Sequence, residues 1–156
     1  MKLKLTTLFI ALGSLVLTFE SCEKEGDEGN ETKISRHSGS ESHNEGQNCM
    51  SCHVSGGSGE GWFNVAGTVY DTNKTNINPN GTVKFYTGPG GTGTLKATVE
   101  VDAKGNFYTT EAVSFGDGLY TMVISSAGNK KYMSGKVTSG QCSSCHGVST
   151  DKVWVK

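Results

Sequence analysis

Leu95-Lys96-Ala97-Thr98-Val99-Glu100-Val101-Asp102-Ala103-Lys104-Gly105-Asn106-Phe107-Tyr108-Thr109 is the stretch that decides the fold. Leu95, Ala97, Val99 and Val101 alternate with Lys96, Thr98, Glu100 and Asp102, the two-residue period of a strand with one buried face. Asp102 to Asn106 carries the turn chemistry of a tight hairpin, and Phe107-Tyr108-Thr109 begins the returning strand. Upstream, Thr82-Val83-Lys84-Phe85-Tyr86-Thr87 repeats the alternation, with Val83 and Phe85 on one face. Val65 to Tyr70, Leu119 to Ser125 and Tyr132 to Val137 are also strand-like, and loops at Asn76–Gly81 and Gly88–Gly93 separate neighbouring runs. Six strands with turns at these intervals predict a mainly β fold, a small β-sandwich.

Composition agrees with that reading. Of 156 residues, 34% are hydrophobic and 22 are Gly, so the chain can bury only a modest core. A net charge of −1 excludes the basic field of a nucleic-acid binder.

The N-terminus reads as a targeting segment. Lys2 and Lys4 precede an apolar run from Leu5 to Phe19 that is too short for a comfortable membrane span. The run ends at Glu20-Ser21-Cys22, which resembles a bacterial lipoprotein signal and implies lipidation of Cys22. The match is loose, because Phe19 and Glu20 stand where small residues usually lie; an ordinary cleaved signal with a free Cys22 is the alternative. The expected order is a signal peptide at 1–21, an acidic and polar tether at 22–48, a first motif segment at 49–61, the sandwich at 62–138 and a second motif segment at 139–156. The stretch Glu23 to Gly61 is expected to be mobile, since almost nothing apolar in it could offset its ordering entropy.

The middle of the chain resembles the carboxypeptidase regulatory-like domain, a transthyretin-like β-sandwich. The likeness rests on Val65-Ala66-Gly67-Thr68-Val69-Tyr70-Asp71, Gly81 to Tyr86, Thr98 to Phe107 and Gly118-Leu119-Tyr120-Thr121. It implies a scaffold and says little about chemistry.

Two copies of Cys-x-x-Cys-His carry the chemistry: Cys49-Met50-Ser51-Cys52-His53 and Cys142-Ser143-Ser144-Cys145-His146. This spacing lets two thiols reach two vinyl groups on one porphyrin edge while the next residue sets an imidazole beneath the iron; it is the haem-c attachment signature. With Cys22 assigned to lipid, the two motifs use every remaining cysteine. The resemblance to c-type cytochromes implies two covalent haems, one on Cys49 and Cys52 with His53 as proximal ligand, the other on Cys142 and Cys145 with His146. An ordinary single-haem cytochrome c is helical, so its fold is not carried over. Candidate distal ligands are His43 and Met133, ahead of His37, Met122 and Met50. Alternatives are a structural zinc site on the four thiols, a thioredoxin-like pair, or plain disulfides.

The expected function is electron transfer by an exported lipoprotein at the cell surface or periplasmic face, with other redox proteins or extracellular acceptors as partners, the membrane reached through the lipid, no nucleic acid, and self-association as a further option. No catalytic residues are expected. A haem-based sensor and a zinc-stapled adhesin are the competing readings. An even strand count puts both motifs at one pole of the sandwich; an odd count separates them by at least the ~20 Å length of a strand.

Overall fold

Alternation along the strands sorts the apolar side chains to one side, and two sheets close over them. The computed structural model describes residues 29–156; the signal peptide, Cys22 and the first part of the expected tether lie outside the described residues. Its strands are β1 (Val65–Thr68), β2 (Thr82–Tyr86), β3 (Leu95–Glu100), β4 (Asn106–Thr109), β5 (Leu119–Ile124), β6 (Lys130–Val137) and β7 (Gly140–Gln141). They form a three-stranded sheet in the order β4-β1-β7 and a four-stranded sheet in the order β3-β2-β5-β6. The fold is mainly β, and among the described residues the helical content is three short 3-10 turns. Among the described residues no helix is long and apolar enough to cross a membrane.

Registers follow the apolar pattern. Val83 on β2 stands opposite Val99 on β3 and Val123 on β5, so one face of the larger sheet is a continuous valine row. Phe85, Val83, Val99, Leu119 and Val123 from that sheet meet Val65, Val69 and Phe107 from the β1 side, with Val101 and Val155 completing the core. Phe85 and Phe115 pack edge to face, ring centroids 5.9 Å apart at 83°, the arrangement that aromatic quadrupoles favour.

Three expectations change. A seventh strand, β7, pairs in parallel with β1 at Val65–Gly140 and Ala66–Gln141; two residues leave no periodicity to detect. The Asp102–Asn106 turn forms locally, with Asp102 Oδ1 accepting from the Lys104 and Asn106 amides at 2.9 Å each. However, its flanks do not make a hairpin. β3 pairs with β2 and β4 with β1, so the turn carries the chain from one sheet to the other, placing Val101 and Phe107 in the shared core.

The third change concerns the tether. Residues 30–48 lie against the smaller sheet. Ile34 bridges Thr109 in antiparallel fashion, the Ser35 amide donates to Tyr108 O at 2.9 Å and the Thr110 amide to Lys33 O at 2.9 Å. β4 is an edge strand whose free polar groups this segment satisfies. Ser35 is buried, its hydroxyl donating to Glu100 O at 2.6 Å and accepting from the Tyr108 amide at 2.9 Å. Apolar content missed this, because edge hydrogen bonds rather than apolar burial order the segment.

Candidate functional site

The two Cys-x-x-Cys-His motifs adopt the same local structure although their flanks differ. Each opens with a 3-10 turn, at Cys49–Ser51 and Cys142–Ser144, with the second cysteine in the right-handed helical region. The histidine amides donate back to the first cysteine's carbonyl at 3.0 Å in both motifs. Ser51 Oγ donates to Asn48 O at 2.7 Å and Ser144 Oγ to Gln141 O at 2.6 Å. Both turns therefore end with two thiols and an imidazole displayed from a single turn. All four cysteines are free thiols.

Each imidazole is also tied the same way. His53 Nδ1 lies 2.8 Å from Glu60 O, and His146 Nδ1 lies 2.6 Å from Asp151 O. A carbonyl oxygen can only accept, so Nδ1 holds the proton and Nε2 presents its lone pair. That is how metal-ligating histidines are oriented and made more basic. Gly59 allows the first of these contacts, since a Cβ there would lie 2.7 Å from His53 Nδ1. Phe63 stacks on His53 with centroids 4.2 Å apart at 11°, and Tyr108 stacks behind Phe63 at 4.9 Å.

Beside the first motif lies a cleft of about 900 Å³, lined by Cys49, Cys52, His53, Phe63, Tyr108 and His43 among others. This is within the roughly 300–1,000 Å³ range of cofactor pockets. Its outer wall is the segment 31–48, held by Asn106 Nδ2 donating to Ser42 Oγ at 3.0 Å and Lys104 Nζ to Ser42 O at 2.6 Å. The His43 and His53 ring centroids are 5.9 Å apart, tilted by 34°. The donor set and the cleft therefore fit a planar metallocofactor gripped at one edge by two thiols.

The second motif is more open. The hollow beside His146 is about 60 Å³, lined by Gly46, Thr68, Tyr70, Ser143, Gly147, Lys152 and Val153. It is far too small for a porphyrin, so a group attached to Cys142 and to the exposed Cys145 would lie largely outside it. The motif is fixed at both ends all the same: β7 enters it beside β1, and the chain returns to β1's end, the Tyr70 amide donating to Val153 O at 2.8 Å and the Val155 amide to Tyr70 O at 3.1 Å.

The distal candidates separate. His43 is brought beside His53. Met133 sits half-buried on β6 of the larger sheet and lines neither the cleft nor the hollow. His37 Nε2 lies 2.8 Å from Gly81 O, and its amide donates to Glu100 Oε2 at 2.8 Å, which directs it away from the cleft. Met122 is buried at 4% exposure on β5, and Met50 stays within its own turn.

The first cysteines are the protected ones. Burial pushes the Cys142 thiol up to about 12, with smaller contributions from the neighbouring Cys145 and Cys49. Burial also raises Cys49, followed by the charges of Asp102 and Cys52. Both are held as neutral thiols at ordinary pH. Among the described residues, no three His, Cys, Asp or Glu side chains gather around a point where one ion could bind.

Sequence reasoning missed Phe63, Ser42 and the carbonyls of Glu60 and Asp151. The Trp62-Phe63 pair nine residues after His53 offered a signal for the first. The carbonyls offered none, since every residue has one. Compared with known proteins, the chain matches no family model, no curated protein and no solved structure.

Proposed function

We propose that this chain is a two-haem c-type cytochrome, an electron carrier of the cell envelope held to a membrane by a lipid on Cys22. The observation that carries the reading is the duplicated turn: two separate stretches fold to the same display of two free thiols and a carbonyl-anchored imidazole. The zinc alternative needs the four thiols around one ion, and they are not so gathered.

Haem supplies a one-electron ferric/ferrous couple when bound. The chain's part is to hold and tune it. Cys49 and Cys52 would anchor one group, and Cys142 and Cys145 the other. His53 and His146 offer Nε2, while their Nδ1–H bonds to Glu60 O and Asp151 O fix ring orientation and raise donor strength. His43, whose ring lies 5.9 Å from that of His53, would offer the same group a second imidazole, which favours a lower potential than a methionine would. Phe63, Tyr108 and Ile34 line the first cleft with apolar surface. No acid–base or nucleophilic apparatus is assigned. Partners are other redox proteins or extracellular acceptors.

The test is a pyridine haemochrome assay on the denatured protein matured in a host that attaches haem c. Two covalent haems per chain are expected, falling to one in Cys49→Ala/Cys52→Ala. Absence of covalent haem together with one zinc per chain would overturn the reading. For the distal assignment, His43→Ala should convert one haem from low to high spin; an unchanged spectrum would remove His43 from the site.

A further inference from the structure

Resting on the haem reading above, and on its first site alone, we propose that Thr68 and Asn106 are positioning residues: a buried polar clamp on β1 and β4 that holds His43 at the cleft beside Cys49 and Cys52.

The directions of the strands come first. Val65, Val69 and Phe107 point into the core, so the two-residue alternation sends Ala66, Thr68, Asn106 and Tyr108 to the opposite face of the smaller sheet. The register sets Thr68 across from Asn106 and Ala66 across from Tyr108. Such a face would be wet if nothing lay on it. Yet Ala66 is 2% exposed, Thr68 3% and Asn106 1%. The cover is the polar segment that leads into the first motif. It has little apolar surface to bury, so hydrogen bonds must hold it in place.

Those bonds grip both ends of one short stretch. At its start, Asn106 Nδ2 donates to Ser42 Oγ at 3.0 Å and to His43 O at 3.3 Å. At its end, the Gly46 amide donates to Thr68 Oγ1 at 2.9 Å. Thr68 Oγ1 in turn donates to Asn106 Oδ1 at 2.6 Å, which joins the two anchors and turns the Asn106 amino group towards Ser42 and His43. Between the anchors the chain bends tightly. Asn44 and Gly46 stand in the left-handed region at φ 54 and φ 80, and the Gln47 amide donates to Asn44 O at 3.1 Å. The His43 ring itself is exposed; what the sheet holds is its backbone. From there the ring reaches to 5.9 Å from that of His53.

A fully partnered buried network specifies one arrangement, and removing one member leaves the others unsatisfied. Without the Thr68 hydroxyl, the Gly46 amide loses its acceptor and Asn106 Oδ1 its donor, so the stretch is anchored at one end only. His43 is then presented for a smaller fraction of the time, and an added ligand competes with it more readily.

The experiment uses the full-length, haem-loaded protein. Absence of covalent haem at Cys49 and Cys52, or an unchanged spectrum in His43→Ala, would overturn the haem reading or the His43 assignment, and this inference with it. With both in place, ferric absorption spectra and imidazole titrations compare Thr68→Val with Thr68→Ser. Thr68→Val should gain a high-spin fraction and bind imidazole about tenfold more tightly at the site that His43→Ala opens, the effect of one lost anchor. Thr68→Ser keeps the hydroxyl and should match wild type on both counts. In a His43→Ala background, Thr68→Val should change neither the spectrum nor the imidazole affinity, because the clamp acts through His43. A change of equal size there would mean that Thr68 only shapes the cleft, and would refute the proposal, as would wild-type behaviour of Thr68→Val. Should Thr68→Val not mature, Ser42→Ala, which removes the Asn106 partner at the other end, is titrated instead; tighter imidazole binding is expected, and wild-type affinity refutes the clamp.

Discussion

Substituting Gly67 by Ala tests the packing on which the second motif depends. The added Cβ would lie 2.6 Å from Phe107 Cζ, 3.0 Å from Phe107 Cε1 and 3.1 Å from Cys142 Cβ. Phe107 is 1% exposed and closed in by the core, so it cannot swing clear. Overpacking of this kind costs about 1–3 kcal/mol, while replacing a strand glycine by alanine returns roughly 0.5–1 kcal/mol of backbone entropy. The net expectation is a loss of about 0–2.5 kcal/mol, or about 1–3 kcal/mol relative to a strand glycine with room for the methyl, read as a lower urea midpoint at constant slope. Gly135→Ala is the internal control: it lies on β6 with nothing within 4 Å of its would-be Cβ, and should gain roughly 0.5–1 kcal/mol from the same backbone-entropy term. Adding Phe107→Leu to Gly67→Ala makes room for the methyl, so the double variant should be less destabilised than the sum of the singles by at least about 0.5 kcal/mol. If Gly67→Ala is as harmless as Gly135→Ala, or if the double variant is simply additive, then Phe107 and Cys142 do not confine Gly67 and the seat of the second motif has been misread.

Other outcomes follow from the same geometry. Ser35→Ala should lower stability by about 1–3 kcal/mol, because it strips partners from the partly buried Tyr108 amide and Glu100 carbonyl; a neutral result in urea titration would mean that residues 30–48 are not docked on β4. Thr68→Val should cost a similar amount, on the order of 1–3 kcal/mol, since Asn106 Oδ1 and the Gly46 amide both lose Thr68 Oγ1. The unmodified, haem-free chain should lose stability as pH rises from near 9 towards about 12: unfolding frees Cys142 to ionise near its ordinary 9.0, whereas the folded state keeps it protonated. Denaturation midpoints across that window should fall in the haem-free protein, and the Cys142 contribution should vanish once thioether formation removes the thiol; equal alkaline slopes for Cys142→Ala and the parent chain would contradict it.

Much of this protein was legible in its sequence, for reasons local to the chain. Strand alternation at Leu95–Val101 and Thr82–Thr87 placed Val83, Phe85, Val99 and Val101 in the core, because side-chain direction in a strand is fixed by its two-residue period. Cys-x-x-Cys-His gave both candidate sites, since two thiols and an imidazole on one turn need no distant residue to come together. The Asp102–Asn106 turn was also legible, as Asp102 bonds amides only two and four residues on.

Other features depend on which distant groups meet, and nothing local encodes that. The polar segment 30–48 looked like a free tether because its order comes from the unpaired edge of β4, more than sixty residues away. His43 and Met133 were both candidate distal ligands by their positions before the two motifs, yet only His43 is carried back beside His53. By itself the sequence determined six of the seven strands and the two Cys-x-x-Cys-His turns, whose geometry lies within a few bonds. Only the tertiary structure decided that both turns rest on β1, that a polar strap walls the first cleft and that the second stands open, because those depend on strand pairing and on backbone groups that are the same in every residue.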